Sequence, residues 1–227
     1  MPSLNNFVLS QDICIHTTAA DFLEATEYVL VEQERRSNLI LAHALGRAAW
    51  EANHIGLGVA STTIGLNPHE RSKAWWARRR SGVHPSAEVS RDFWVSIWTV
   101  QVPVAATSSS RSSAPNLGAL RPPTLDFAIS VLGSDPVFVF TPHPPMALSP
   151  TFLIPRVGLL VQNLAQFMPI ERMSRVFALF SVAESIAETW TAHTGAQRAP
   201  ESQCNVFSTF CTVATFAGVQ PLPDGHR

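Results

Sequence analysis

The chain has 227 residues, of which 46% are hydrophobic and 15% are charged, and its formal net charge at pH 7 is −1. That length suffices for one large domain, or for one domain with disordered segments. The near-neutral charge argues against a nucleic-acid or membrane partner recognised by charge alone. The charged fraction is well below the usual value of roughly 25%, so the chain has ample apolar material for a core.

The cysteines and the N-terminus predict a soluble, cytoplasmic protein. Three cysteines, Cys14, Cys204 and Cys211, form no paired motif, which indicates reduced thiols and no disulfide scaffold. Residues 1–6 lack the basic and apolar segments of a secretory signal. The longest charge-free apolar stretch, residues 136–155, is broken by prolines, so we expect no membrane span there.

Residues 1–67 are predicted to be an N-terminal, mainly helical part of the domain. Residues 7–15 suit an opening strand or an irregular lead-in, and a helix starts at residues 18–21. A second helix is predicted over residues 38–50 with Ser37 as its cap. Residues 58–64 suit either a strand or a loop. The charges between the two helices, Glu32, Glu34, Arg35 and Arg36, are interpreted as a solvated face.

Residues 68–92 are predicted to be an irregular basic insertion. Arginines and Lys73 alternate there with Trp75 and Trp76, a pattern that can bind nucleic-acid phosphates and bases. The alternative is a surface loop or short helix whose tryptophans pack inward. Because the whole chain is near neutral, nucleic-acid binding is the less favoured interpretation.

Residues 93–195 are predicted to be an α/β core with a disordered linker over residues 103–124. Apolar alternation predicts a strand at residues 93–102. The linker is rich in serine, arginine and proline, and residues 125–132 suit a short helical or extended segment. Residues 196–227 are predicted to be a poorly ordered tail.

The strongest pattern lies between Asp135 and Gly195. Apolar runs at residues 137–140 and 176–180 predict two buried strands. A helix between them is predicted to begin near Pro155, and Ser181 and Glu184 suit a capping box for a last helix that Gly195 ends. Strand, helix and strand favour a βαβ crossover. The predicted fold class is therefore α/β, with a mixed sheet flanked by helices.

The candidate pocket is the proline-rich elbow that follows the first of these strands, Thr141-Pro142-His143-Pro144-Pro145, together with Ser149 just beyond it. Loops at strand ends often carry function in α/β sheets, which makes Thr141, His143 and Ser149 candidate pocket residues. A histidine side chain can act as a general base toward an amine, and this is the role considered for His143. No catalytic residue is identified, because Ser149 and Ser181 lack a Gly-x-Ser-x-Gly elbow. The eight histidines and the cysteines show no metal-binding spacing, so no metal site is predicted.

Three segments resemble fungal-type GNAT N-acetyltransferases, the acyl-CoA-dependent superfamily. The first runs from Phe22 through Glu34 to Asn38-Leu39-Ile40-Leu41. The second is the strand at Phe138, followed by Thr141-Pro142-His143-Pro144-Pro145 and Leu148-Ser149, and the third runs from Phe177 to Gly195. The resemblance covers residues 21–45 and 93–195. It implies a GNAT-like fold, acetyl-CoA as cofactor and transfer of its acetyl group to an amine acceptor.

One feature of that superfamily is missing from the sequence. GNAT enzymes bind the acetyl-CoA pyrophosphate with an Arg/Gln-x-x-Gly-x-Gly/Ala loop at a helix N-terminus. The nearest segment here, residues 79–84, ends in His84 and follows no predicted strand. The resemblance therefore predicts an N-acetyltransferase that holds only the N-terminal portion of the family domain and is either active or truncated and inactive. The alternative is a non-enzymatic remnant or protein-interaction module with the same α/β core.

Overall fold

In the computed structural model, the described residues are 7–54, 65–81, 92–103, 121–133 and 135–198. They form five strands and five α-helices, with two short 3-10 helices at Pro145–Ala147 and Ile170–Met173. The strands are β1 (Phe7–His16), β2 (Phe93–Pro103), β3 (Thr124–Val131), β4 (Val137–Phe140) and β5 (Val176–Phe177). The helices are α1 (Ala19–Glu32), α2 (Glu34–His54), α3 (Pro68–Arg80), α4 (Pro150–Phe167) and α5 (Phe180–Thr194).

The five strands form one mixed sheet in the order β1-β2-β3-β4-β5. Neighbours from β1 to β4 are antiparallel, whereas β4 and β5 are parallel and joined through α4. The prediction of a mixed sheet flanked by helices is confirmed, and so is the strand-helix-strand unit. Residues 125–132, which the sequence left open between helix and strand, contain β3.

Helices cover both faces of this sheet, because its central strands alternate two sets of apolar side chains. On one face Trp94, Trp98 and Leu125 pack against α1, α2 and α3. On the other, Val95, Ile97, Phe127 and Ile129 pack against α4 and α5. Each large side chain that is fully buried in this way contributes about 1.5–3 kcal/mol relative to exposure. Two cores on one shared sheet therefore hold every described helix in place.

The second helix begins four residues earlier than predicted, and Ser37 does not cap it. Only Gln33 separates α1 from α2, and its N–H donates to the Val29 carbonyl at 3.0 Å. The Ser37 hydroxyl is buried and donates to the Leu30 carbonyl at 2.5 Å. Ser37 thus ties α2 to the end of α1, a contact that no local pattern reveals.

The fourth helix also begins earlier than predicted, at Pro150 and not near Pro155. Pro150 occupies the first helical position, where its missing N–H costs nothing. Pro155 lies inside the helix, where it removes one backbone hydrogen bond. Either proline could mark the start of the helix in the sequence. The helix begins at Pro150, because Ser149 just before it has the extended backbone of an N-cap residue.

The predicted strand at residues 176–180 is wrong after Phe177, and the predicted capping box is wrong. Phe180 already begins α5 with Leu179 as its N-cap residue, so Ser181 lies inside the helix. Glu184 forms an ion pair with Arg198 instead of reaching back to a cap. Gly195 ends the helix in a left-handed conformation with φ of 74°, as predicted.

Residues 68–80 form a regular helix, so the prediction of an irregular segment is wrong there. Asn67 and Glu70 make a capping box, and Pro68 is the first helical residue. Trp75 and Trp76 are buried against the sheet, which confirms that the tryptophans pack inward. Predictions for residues 55–64, 82–91, 104–120 and 199–227 lie outside the described residues.

Candidate functional site

The parallel strands β4 and β5 separate after two residue pairs and leave a cleft between them. Val137 pairs with Val176, and Phe138 pairs with Phe177. The Val137 N–H donates to the Arg175 carbonyl at 2.9 Å, so its polar groups point toward β5. Two residues later the backbone of Val139 points the same way. Because the pairing ends at Phe177, the Val139 carbonyl opens onto the cleft without a strand partner among the described residues.

The cleft holds a cavity of about 310 Å³. One wall is the first turns of α2, another is the end of β4, and the third is the segment that follows β5. Among the described lining residues there are two arginines, and there is no aspartate, glutamate or histidine. The lining residues are Arg35, Arg36, Ser37, Asn38, Leu39, Ile40, Phe138, Val139, Phe140, Thr141, Phe177, Ala178 and Leu179.

Arg36 connects the α2 wall to the elbow that follows β4. Its guanidinium donates to the carbonyls of Thr141 at 3.1 Å, Pro142 at 3.2 Å and His143 at 2.9 Å. These carbonyls cannot pair with a neighbouring strand, since β5 has already turned into α5. Arg36 therefore fixes the elbow across the open end of the cleft.

Of the three candidate pocket residues, only Thr141 lines the cleft. The His143 side chain turns away from it and contacts Asp126 and Phe152. Ser149 is exposed at the start of α4, and its hydroxyl lies 2.9 Å from that of Thr151. The structure thus separates three residues that the sequence placed in one loop.

Asp126 lies at the centre of a buried polar cluster on the α4 face. The register between β2 and β3 moves from Ile97–Phe127 to Trp98–Leu125, so Asp126 is the extra residue of a β-bulge. Its carboxylate accepts from Thr99 at 2.6 Å, Arg156 at 2.8 Å and His143 at 3.0 Å. Asp126 is the one charged residue of β3, and a charge in a strand of mainly buried residues is the sequence signal for this cluster.

The environment of Asp126 keeps it ionised. Burial acts to raise the pKa of this carboxyl, but the hydrogen bonds from His143, Thr99 and Arg156 outweigh it and hold the pKa below its ordinary value. Arg156 also stacks over the Phe152 ring at 3.9 Å. The cluster therefore anchors α4 and the elbow to the sheet through one shared negative charge.

Ser96, His16 and Asp21 on the opposite face have the hydrogen-bond order of a catalytic triad. His16 lies 2.6 Å from Asp21 through Nδ1 and 2.8 Å from Ser96 through Nε2. Ser96 and His16 are buried, however, and the Ser96 oxygen also accepts from the Trp98 indole at 2.8 Å. A substrate cannot reach this oxygen through the core, so the arrangement satisfies buried polar groups and is not a nucleophilic site.

The groups around this triplet are likewise structural. The pKa of Asp21 is lowered: burial opposes the shift, while His16, the Trp75 indole and Arg78 cause it. Burial raises the pKa of the Cys14 thiol to about 12, so this cysteine is a neutral, unreactive thiol. No local sequence pattern indicates the triplet, because β2 supplies Ser96 from 80 residues further along the chain than His16.

Most of the basic residues of helix α3 form ion pairs with acidic residues of α1 and β1. Arg71 pairs with Glu27, Arg78 with Glu24, and Arg79 with Asp12. Charges neutralised in this way are not free to bind phosphates. The structure thus favours docking of α3 onto α1 and β1 over nucleic-acid binding by this helix.

The elbow and the start of α4 offer few backbone donors for a phosphate. Residues 141–149 contain no glycine, and Pro144, Pro145 and Pro150 have no N–H. The amides of Phe152 and Leu153 already donate to the Ser149 carbonyl. This end of the cleft therefore lacks the amide-rich turn that usually cradles a phosphate.

Among the described residues, no three histidine, cysteine or acidic side chains are placed to hold a metal ion. No helix in the described part of the chain combines the length and apolarity needed to cross a membrane. The chain matches no family model, no curated protein and no solved structure.

Proposed function

We propose that the chain is a GNAT-like N-acetyltransferase that holds the acyl-pantetheine arm of acetyl-CoA in the cleft between β4 and β5. The observation that supports this most is the divergence of these two strands. In the superfamily that the sequence resembles, a splayed parallel pair in the central sheet holds CoA. Here β4 and β5 are the parallel pair of the described sheet, and they separate where the cavity lies.

The walls of the cleft suit such an arm. Pantetheine is a flexible chain with two amides, and it needs apolar contacts together with a few backbone partners. Phe138, Phe140 and Phe177 supply apolar surface, and the Val139 carbonyl supplies an acceptor that has no strand partner in the described part of the chain. This combination of apolar walls and few polar groups is typical of cofactor sites.

In the proposed reaction the amine nitrogen attacks the thioester carbon. A C–N bond forms, the C–S bond breaks, and the CoA thiol leaves with the proton that the amine gives up. Because no acid or histidine lines the described cleft, the amine must reach it already deprotonated or lose its proton to water. We therefore expect the rate of transfer to rise with pH toward the pKa of the amine itself, about 10 for an alkyl amine.

Calorimetric titration with acetyl-CoA tests this proposal. We expect micromolar binding by the wild-type chain and strongly reduced binding by Leu39→Trp, because the larger ring fills the cleft. Leu45→Trp is the matched control, since Leu45 lies on the same helix with similar exposure and does not line the cleft. Absence of heat at millimolar acetyl-CoA, or equal binding by both variants, would reject the proposal.

A second candidate function is a non-enzymatic interaction module. It is favoured by two exposed apolar side chains in the segments that follow β4 and β5: Met146 is 91% exposed and Phe180 is 68% exposed. Apolar groups that join into one exposed patch mark contacts with other proteins. Size-exclusion chromatography separates the two functions. A monomer that binds acetyl-CoA supports the enzyme, and a concentration-dependent oligomer without binding supports the module.

A further inference from the structure

The α2 wall of the cleft carries two positive charges without a negative partner. Arg35 is exposed and makes no hydrogen bond or ion pair within the described part of the chain. Arg36 donates only to neutral carbonyls. Six other arginines, in contrast, pair with carboxylates: Arg47, Arg71, Arg78, Arg79, Arg156 and Arg198.

Nothing else on the described cleft wall compensates these charges. The remaining lining residues are neutral, and they include seven with large apolar side chains: Leu39, Ile40, Phe138, Val139, Phe140, Phe177 and Leu179. Apolar walls exclude water and lower the local dielectric constant, which strengthens the attraction between a guanidinium and an anion. Glu32 and Glu34 are near in sequence but do not line the cleft.

We propose that Arg35, supported by the charge of Arg36, binds an anionic group of the ligand, either a phosphate or a carboxylate. The inference rests on the proposed function for the identity of the ligand and adds its charge. The anion has two sources in that reaction, the nucleotide phosphates of acetyl-CoA or a carboxylate on the amine acceptor. Arginine suits both, because its planar fork donates two parallel hydrogen bonds to such groups.

The variant that tests this is Arg35→Gln, because Arg36 also holds the elbow and its removal would change the shape of the cleft. Arg80→Gln is the matched control: it removes one charge from an exposed arginine on α3 that does not line the cleft. A charge-assisted hydrogen bond is worth enough for a loss of roughly tenfold in affinity when it is removed. The effect should shrink as salt is added.

Two pairs of compounds identify the source of the anion. If the phosphates are bound, Arg35→Gln weakens acetyl-CoA roughly tenfold and leaves S-acetylpantetheine, which has no phosphate, unchanged. If the acceptor carries the anion, wild-type chain acetylates 4-aminobutyrate in preference to butylamine, and Arg35→Gln loses that preference. Equal behaviour of wild type and Arg35→Gln with all four compounds overturns the inference while leaving acetyl transfer intact.

Failure of the proposed function gives a different result. If wild type binds neither acetyl-CoA nor S-acetylpantetheine, titration with inorganic pyrophosphate decides the matter. Pyrophosphate binding that Arg35→Gln abolishes and Arg80→Gln retains upholds the anion site without acetyl transfer. No binding, or equal binding by all three proteins, overturns the anion site as well.

Discussion

Two buried titratable side chains, Asp126 and His16, lie in polar clusters on opposite faces of the sheet. Asp126 connects the sheet to α4, and His16 connects it to α1 and α3. Each lies among partners that satisfy its polar atoms, which is the condition for placing such groups in a core. The polar clusters around Asp126 and His16 therefore hold helices against the sheet, and neither cluster opens onto the cleft.

Replacement of Asp126 by asparagine should destabilise the chain by about 3 kcal/mol at neutral pH. The change leaves the largely buried Arg156 guanidinium, whose side chain is 11% exposed, without its counter-charge, and removing one partner of such a pair usually costs about this much. Urea unfolding followed by tryptophan fluorescence measures the loss. Asp135→Asn is the control, because Asp135 is exposed and such changes fall within about 0.5 kcal/mol.

The comparison of wild type with Asp126→Asn also predicts how the free energy of unfolding depends on pH. The pKa of Asp126 is lower in the folded chain than in the unfolded chain, where it is about 3.9. Its contribution to stability is therefore present above that pH and is lost as the pH falls through the lower, folded pKa. The difference in unfolding free energy between wild type and Asp126→Asn should hold at pH 5 and shrink below about pH 4. A difference that stays constant down to pH 2 would contradict the ionised pair.

Helix α3 shows how an element with little apolar surface is fixed in place. It buries Trp75 and Trp76 in the core that the sheet shares with α1 and α2, and three of its arginines pair with acidic residues on α1 and β1. The sequence showed the aromatic and basic residues but not their partners, which are 44 to 67 residues away. An irregular segment was therefore predicted where tertiary contacts stabilise a helix.

Arg79→Ala should cost about 1–3 kcal/mol of stability, because Arg79 makes two hydrogen bonds to Asp12 and one to the Ile13 carbonyl. Lys73→Ala on the exposed side of the same helix should change stability by less than about 0.5 kcal/mol. Thermal or urea unfolding of both variants checks this. Equal stability of the two variants would mean that α3 is not held by its ion pairs.

For the molecule as a whole, the sequence predicted what is encoded within short segments. The apolar runs of β2 and β4 and the glycine that ends α5 carry their own signals, so they were located correctly. The cleft carries no such signal. Arg36 and Thr141 are 105 residues apart, and a charge run at a helix junction has the same appearance whether it faces solvent or lines a cavity.

The early end of β5 also depends on contacts between distant parts of the chain. Five apolar residues in a row suited a buried strand, but Leu179 and Phe180 turn outward because α5 begins there. The packing of α5 against α4 and the sheet stabilises the helix that begins at Phe180 and so ends the strand before it. The feature that supports the proposed function, the short parallel pair, is therefore one that local sequence patterns cannot specify.

Hydrogen exchange across the sheet tests this architecture. Strands β2 and β3 have partners on both sides and buried faces, so their amides should exchange slowest, through opening of the whole molecule. The amides of β5, which has two residue pairs and is half-buried, should exchange at least about 100-fold faster through local opening. Saturating acetyl-CoA should slow exchange at Val139 and Thr141 and leave β1 unchanged. If the amides of β5 are as protected as those of β2 in the free chain, β4 and β5 do not separate as described. The cleft between β4 and β5 is then not a stable feature of the fold.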